Sequence, residues 1–343
     1  MEVRQLRHLE SNKGLLEPLG LRIEEHPVLR TLGLQIVRRL AERHSEIVEY
    51  HSHLREAPII IKRITRWKST PEAEARIQHE YEALCELRKS LSPQLLRTVP
   101  EPLAVFPDAK AIVLTKLPGA RLSSILKCEA NLLTGSLRHA RMALLGRLAG
   151  NWLFQMHQET RKEAVRFNTD SFLESLDSRL DRCRKLGIAE PVVSGLLGWV
   201  EQVAAQMDGC ALPAAARQGD FTPQNILVER NQLGIVDFEN FASQNPIYED
   251  VATFMAYIVA LSTFPYYSRG ALRALVQSFA QAYGSKSDEA FLQLYFARAL
   301  IVLISETNRE RLTWYSQQRL ALLQGCLVRL CADRKWDPRG AAF

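Results

Sequence analysis

Arg217, Gln218, Gly219, Asp220, Phe221, Thr222, Pro223, Gln224 and Asn225 are followed by the apolar run Ile226-Leu227-Val228. A short turn then leads to Gly234-Ile235-Val236-Asp237-Phe238-Glu239. An acid and an amide thus share one loop, and a second acid closes the second of two short strand-like runs. Phosphoryl transfer of the kinase type needs such a set: a carboxylate that takes or orients a hydroxyl, and hard oxygen ligands for magnesium. Asp220 is the candidate for the hydroxyl, and Asn225 with Asp237 for the metal. Thr222-Pro223 stiffens the turn between them, so both polar side chains can face one side. Each residue alone has a plainer reading, as an Asx-turn, a turn amide or a helix cap. Together, on two short strands, they read as a site.

The elements that must position this set are legible on either side of it. Runs at Leu34 to Leu40, Glu46 to His51 and Pro58 to Ile64 read as strands, with turns at Ala41 to Ser45 and Leu54 to Ala57. In the third run, alternation puts Lys62 on one face with Ile60 and Ile64. Standing alone, Lys62 reads as a rim residue whose ammonium reaches water. The next segment, Pro71 to Leu91, carries Ile77, Tyr81, Leu84 and Leu91 at helical spacing, and Glu80 borders that stripe. A carboxylate there needs a cation or solvent, and a lysine from the neighbouring strand would serve. Pro100 to Phe106 and Ala111 to Lys116 add two strands, after which Pro118-Gly119 breaks the strand pattern and begins the crossing to helix-rich sequence. Backbone groups near Thr115 and Leu117, just before that break, are placed to pair with an adenine edge, the alternative being a plain linker. From Ser136 the pattern is helical almost throughout, with helices at Phe172 to Leu186, Pro191 to Met207, Val251 to Leu261, Arg269 to Tyr283, Asp288 to Ser305 and Arg311 to Leu330. His157 reads as a helix-end packing residue.

Composition excludes several classes. The 343 residues are 47% hydrophobic and 24% charged, ordinary for a globular chain with room for two cores. A net charge of +6, spread along the sequence, suits an anionic small ligand better than a dedicated nucleic-acid surface. Cys85, Cys128, Cys183, Cys210, Cys326 and Cys331 lack metal-site spacing and read as reduced core thiols of a cytoplasmic protein. The beginning of the chain lacks a signal-peptide core, and the most apolar stretch, Phe254 to Tyr267, is short and broken by Pro265, so no integral membrane segment is expected. No obligate protein partner is evident.

Gly219-Asp220-Phe221-Thr222-Pro223-Gln224-Asn225-Ile226-Leu227, Ile235-Val236-Asp237-Phe238-Glu239 and Pro246-Ile247-Tyr248-Glu249-Asp250-Val251-Ala252 together resemble the aminoglycoside phosphotransferase and choline kinase superfamily of small-molecule kinases. The resemblance spans roughly residues 30 to 330 and is specific in the central block. It implies an α+β, bilobal, protein-kinase-like fold: a small antiparallel-sheet N-lobe with one main helix, and a mostly helical C-lobe. The expected division is a leader over 1–30, a nucleotide-binding lobe over 31–117, a lobe over 118–335 with the catalytic loop and acceptor site, and a tail over 336–343. The resemblance further implies ATP with Mg2+, transfer to the hydroxyl of a small molecule, Asp220 as catalytic aspartate and Asn225 with Asp237 as metal ligands. It makes Lys62 and Glu80 the pair that steadies the α- and β-phosphates, and Asp250 a brace for the catalytic loop. Two departures stand out. Gln218 occupies a position where the family usually has His, and the turn Ala41-Glu42-Arg43-His44-Ser45 lacks glycines, leaving Arg43 and Ser45 as possible phosphate contacts.

Residues 251–330 hold four acids, Asp288, Glu289, Glu306 and Glu310, against eight bases. That balance points to a neutral or anionic acceptor, such as a sugar or cell-envelope metabolite, rather than a polycationic aminoglycoside. Tyr257, Phe264, Tyr266, Tyr267 and Trp314 are available for stacking, with core packing as the alternative. Gln218 and the glycine-poor turn also fit a nucleotide-binding regulator with little turnover. A protein kinase fits poorly, because about ten residues between Asp237 and Tyr248 leave no room for a peptide-docking activation segment.

Overall fold

The computed structural model describes residues 34–41, 45–52, 55–65, 70–284, 289–306 and 314–332. The expected leader, the tail beyond 335, Arg43 and Leu54 lie outside these residues, as does the side chain of Trp314. The chain divides into two compact units, Met1–Pro118 with Gly234–Phe241, and Gly119–Leu233 with Ala242–Phe343.

The first unit contains β1 (Leu34–Ala41), β2 (Ser45–Ser52), β3 (Arg55–Ile64), α1 (Thr70–Ser90), the single turn α2 (Pro93–Leu96), β4 (Pro102–Phe106) and β5 (Ala111–Thr115). The strands form one antiparallel sheet in the order β1-β2-β3-β5-β4. Alternation decides what each face carries. Ile59 and Ile61 of β3 join Val48, Tyr50 and Val113 in one apolar cluster. Lys62, one residue on, points to the opposite face beside Ile112 of β5, its cross-strand partner. In α1 the buried positions are Ala73, Ile77, Glu80, Ala83, Leu84 and Leu87. Glu80 therefore lies within the helix's apolar stripe, spaced three from Ile77 and four from Leu84, and not on its border.

The second unit begins with β6 (Ala120–Arg121) and α3 (Leu122–Glu129), followed by α4 (His139–Glu159), β7 (Lys162–Arg166), α5 (Thr169–Lys185), α6 (Glu190–Met207), β8 (Ala211–Arg217) and β9 (Ile226–Glu229). The hairpin strand β10 (Gln232–Ile235) carries the chain across the boundary between the units. After it come β11 (Ala242–Pro246), α7 (Tyr248–Ser262), α8 (Arg269–Tyr283), α9 (Glu289–Ser305) and α10 (Trp314–Ala332). The expectation of helix almost throughout from Ser136 is corrected by a sheet in the order β11-β8-β7. The second run of the central block ends at Ile235, so Val236 and Asp237 lie beyond the strand.

Close helix packing gives this unit its frame. A Cβ at Gly146 of α4 would lie 2.0 Å from the Leu275 carbonyl oxygen of α8, and one at Gly150 would lie 2.3 Å from that of Phe279. Only hydrogen fits at these two positions, so the helices touch backbone to backbone. Gly119, which opens the unit at φ +114°, is equally constrained, since a Cβ there would meet the Val228 carbonyl at 2.7 Å. The cysteines correct another expectation. Cys183 is buried, whereas Cys128 and Cys210 are exposed and Cys85 and Cys326 half-buried.

Candidate active site

In the second unit, β8 delivers the catalytic-loop candidates and two anchors hold them. Asp250, buried in the first turn of α7, accepts hydrogen bonds from the Gln218 N–H at 2.7 Å and the Gly219 N–H at 2.9 Å. One carboxylate thereby satisfies two consecutive backbone donors where Gly219 takes φ +91°. Phe221 is the apolar anchor: fully buried, it stacks on Trp152 of α4 at 5.7 Å and leans on Phe254 of α7. His157 packs at the end of α4, with Nδ1 2.8 Å from the Tyr283 hydroxyl and Nε2 3.9 Å from Asp250.

The polar groups of the loop are arranged around Asp220. Its N–H donates to Gln218 Oε1 at 2.7 Å, so the amide of Gln218, fully buried, props the loop from within. The Asn225 Nδ2 donates to Asp220 Oδ2 at 2.7 Å and to the Asp220 carbonyl at 3.1 Å. With both hydrogens of that amide committed, Asn225 Oδ1 is the group left to serve as a ligand. The loop is closed by the Thr222 N–H to the Asp220 carbonyl at 2.7 Å and the Asn225 N–H to the Thr222 carbonyl at 3.0 Å.

In the first unit, Lys62 gathers three carboxylates. Its buried Nζ lies 3.0 Å from Glu80 Oε2, 2.8 Å from Asp237 Oδ1 and 3.1 Å from Glu239 Oε1. Arg76 Nη1 lies 3.1 Å from the second oxygen of Glu239. Asp237 sits at φ +66°, a left-handed conformation that Asp tolerates better than most residues, and it aims its carboxylate at the ammonium. Three carboxylates face Lys62 and Arg76, and burial is the largest influence on how they titrate. Burial pushes Glu80 up to about 7 against the pull of Lys62, and raises Asp237 as well. Burial would also raise Glu239, but Lys62 and hydrogen bonds from Lys62, Asp237 and Arg76 outweigh it and hold the group below its ordinary value. Burial works against the charge on Lys62, yet the three carboxylates keep it well above the ordinary lysine range. Oxygens of Glu80, Asp237 and Glu239 approach closely enough to hold a cation, and the ammonium of Lys62 fills that role.

The sequence-selected residues thus fall into two groups. Asp220 meets Asn225, and Lys62 meets Glu80 and Asp237. Thr115, at the end of β5, donates its N–H to the Glu101 carbonyl at 3.0 Å, and its hydroxyl accepts from the Glu101 N–H at 2.8 Å. Leu117 lies two residues on, past the strand, at the last position but one before the unit boundary. Sequence reasoning missed Glu239 and Arg76 as parts of the Lys62 cluster. The only signal for either was the placement of Glu239 two residues after Asp237.

Each group holds residue types that kinase-type phosphoryl transfer uses. The chain belongs to the phosphotransferase enzyme family, whose model matches residues 35–295. It is accordingly a small-molecule kinase. Solved structures of the same protein-kinase-like fold include a glucosamine kinase, 15% identical, covering 87% of this chain and 94% of that one at TM-score 0.56. A choline/ethanolamine kinase family protein from Mesorhizobium loti is 15% identical, covering 95% and 97% at TM-score 0.55. A thermostable mutant of aminoglycoside phosphotransferase APH(4)-Ia is 13% identical, covering 93% and 98% at TM-score 0.59. No functionally curated protein matches the sequence.

Proposed function

We propose that the protein transfers the γ-phosphoryl group of ATP, with Mg2+, to a hydroxyl of a neutral or anionic small molecule such as a sugar or cell-envelope metabolite. The observation that carries this reading is Asp220 held by the Asn225 amide and clamped through Gly219 to Asp250. In that position its carboxylate takes the acceptor's proton as the hydroxyl oxygen bonds to phosphorus and the bridge to the β-phosphate breaks, leaving ADP. The donor set suits the metal: Asn225 retains an amide oxygen and Asp237 offers a carboxylate, both hard ligands. Asn225 and Asp237 would hold Mg2+, which would supply positive charge against the phosphate oxygens. Lys62, fixed by Glu80, steadies the α- and β-phosphates. The Thr115 carbonyl and the Leu117 N–H serve the adenine edge, since the Thr115 N–H is already committed.

The acceptor side supports the substrate class. Gln224, in the catalytic loop, donates to the Tyr257 hydroxyl at 2.8 Å, and Arg319 of α10 lies over the Phe264 ring at 5.0 Å. Burial raises the Tyr257 hydroxyl against the Gln224 hydrogen bond and the charge of Arg319, with Asp220 raising it further, so Arg319 is a cation acting on this neighbourhood beside the Asp220 carboxylate. The test is incubation with γ-labelled ATP and a panel of sugars, sugar phosphates, amino alcohols and aminoglycosides. Label is expected on a neutral or anionic acceptor, and label confined to an aminoglycoside would overturn the assignment.

A further inference from the structure

Four large apolar side chains stand in water at one place on the second unit. Leu132, Leu133 and Leu137 are 62%, 90% and 84% exposed, and Tyr266 is 51% exposed. Backbone bonds join them into one tip. The Leu132 N–H donates to the Tyr266 carbonyl at 2.9 Å, the Ser268 N–H to the Ala130 carbonyl at 2.8 Å, and Asn131 bridges to Tyr267. The turn is built by its own side chains as well. Asn131 Oδ1 accepts from the N–H groups of Leu133 and Thr134 at 2.9 and 3.0 Å, and the Leu137 N–H donates to the Thr134 carbonyl at 3.0 Å. The Tyr266 hydroxyl donates to the Lys127 carbonyl at 2.6 Å, tying the tip to the end of α3. A hydrogen-bonded turn that presents leucines outward needs a reason, because isolated exposed leucines are common but a fixed cluster of them marks an interaction site.

The surrounding charge identifies the partner. Residues 127–138, which form the tip, carry Lys127 and Arg138 against the single acid Glu129. Lys127 and Arg138 are exposed, and so is Arg269, next to Gly270, where a Cβ would lie 3.0 Å from the His139 ring. An apolar tip in a basic collar, with a tyrosine at its edge, matches an anionic lipid surface: leucines enter the acyl boundary, cations meet headgroups and Tyr sits between. A second copy of this chain fits poorly, because two basic collars would face each other. Among the described residues no helix is long and apolar enough to cross a membrane, so the attachment is peripheral.

We propose that the Leu132–Leu137 tip with Tyr266 docks the protein on an anionic lipid bilayer. The other end of α3 meets the catalytic loop, where the Ser123 N–H donates to the Pro223 carbonyl at 2.8 Å. Eight helical residues measure about 12 Å, so docking holds the loop close to the depth of lipid headgroups. That consequence for the acceptor rests on the proposed phosphotransferase reading, whereas the docking itself does not.

The experiment is co-sedimentation of the full chain with vesicles of phosphatidylglycerol and phosphatidylcholine, against vesicles of phosphatidylcholine alone. Binding is expected only to the anionic vesicles and is expected to weaken steeply with salt. L133S/L137S should lower the partition coefficient by about 100-fold, since two leucines no longer leave water. K127E/R138E should abolish binding at physiological salt while leaving the melting temperature unchanged. Absence of binding by the wild type, or equal binding by L133S/L137S with an unchanged melting temperature, overturns the proposal. So does concentration-dependent dimerisation in sedimentation velocity that the same double substitution removes, which would assign the tip to a second copy. Loss of γ-phosphoryl transfer with vesicle binding intact would instead refute the phosphotransferase reading alone.

Discussion

Replacing Asp250 with Ala removes the buried carboxylate that receives the N–H groups of Gln218 and Gly219 at 2.7 and 2.9 Å. A hydrogen bond to a charged acceptor contributes about 1.5–3 kcal/mol net, so losing both costs about 3–6 kcal/mol of stability. D250N retains one acceptor oxygen but turns an NH2 toward the other donor, and falls between the two. The catalytic effect is expected to exceed the structural one. Gly219 at φ +91° and the Gln218 prop fix where the Asp220 carboxylate points, and a displacement of about 1 Å at a reacting group costs about 100-fold in rate. Urea denaturation followed by circular dichroism gives the first quantity. Steady-state kinetics with a nucleotide titration gives the second, expected as a fall in kcat with nucleotide affinity kept. Stability within about 0.5 kcal/mol of wild type together with an unchanged kcat would refute the clamp, because the net contribution of two charged bonds cannot be so small.

Three further outcomes rest on the same geometry. K62M leaves Glu80, Asp237 and Glu239 facing one another and should cost about 3–5 kcal/mol in denaturant titration, with weakened nucleotide binding by calorimetry. G146A presses a methyl into the Leu275 carbonyl and should cost about 1–3 kcal/mol, read as a lowered melting temperature. Burial would raise Glu249, but Arg298 and Arg217 together hold it below its ordinary 4.5, so its contribution is present above that value and is lost as pH falls through the depressed one. Wild-type stability should therefore drop more steeply than that of E249Q on acidification below about pH 5, and parallel urea midpoints would contradict the ion-paired assignment.

Much of this architecture is legible in the chain because burial writes a period. The stripe of α1 and the alternation of β3 point Glu80 and Lys62 at each other, and the structure closes the pair at 3.0 Å. β8 was illegible for a physical reason: Ala211-Leu212-Pro213-Ala214-Ala215-Ala216 has little strand propensity, and its extended form comes from pairing with β7 and β11. The role of Glu239 was hidden differently. Alternation gives the face of a side chain only while the backbone stays extended, and the left-handed turn at Asp237 redirects Phe238 and Glu239. Gln218 looked like a departure, and its side chain supplies the acceptor for the Asp220 N–H that the loop needs.

The assignment of Asp220 bears most directly on the proposed chemistry. Asp220→Asn keeps the side-chain shape while removing the base, so kcat for γ-phosphoryl transfer should fall by about 1,000-fold with the Kd for ATP changed by no more than about threefold. A variant that retains more than about a tenth of wild-type kcat would contradict the role given to this carboxylate.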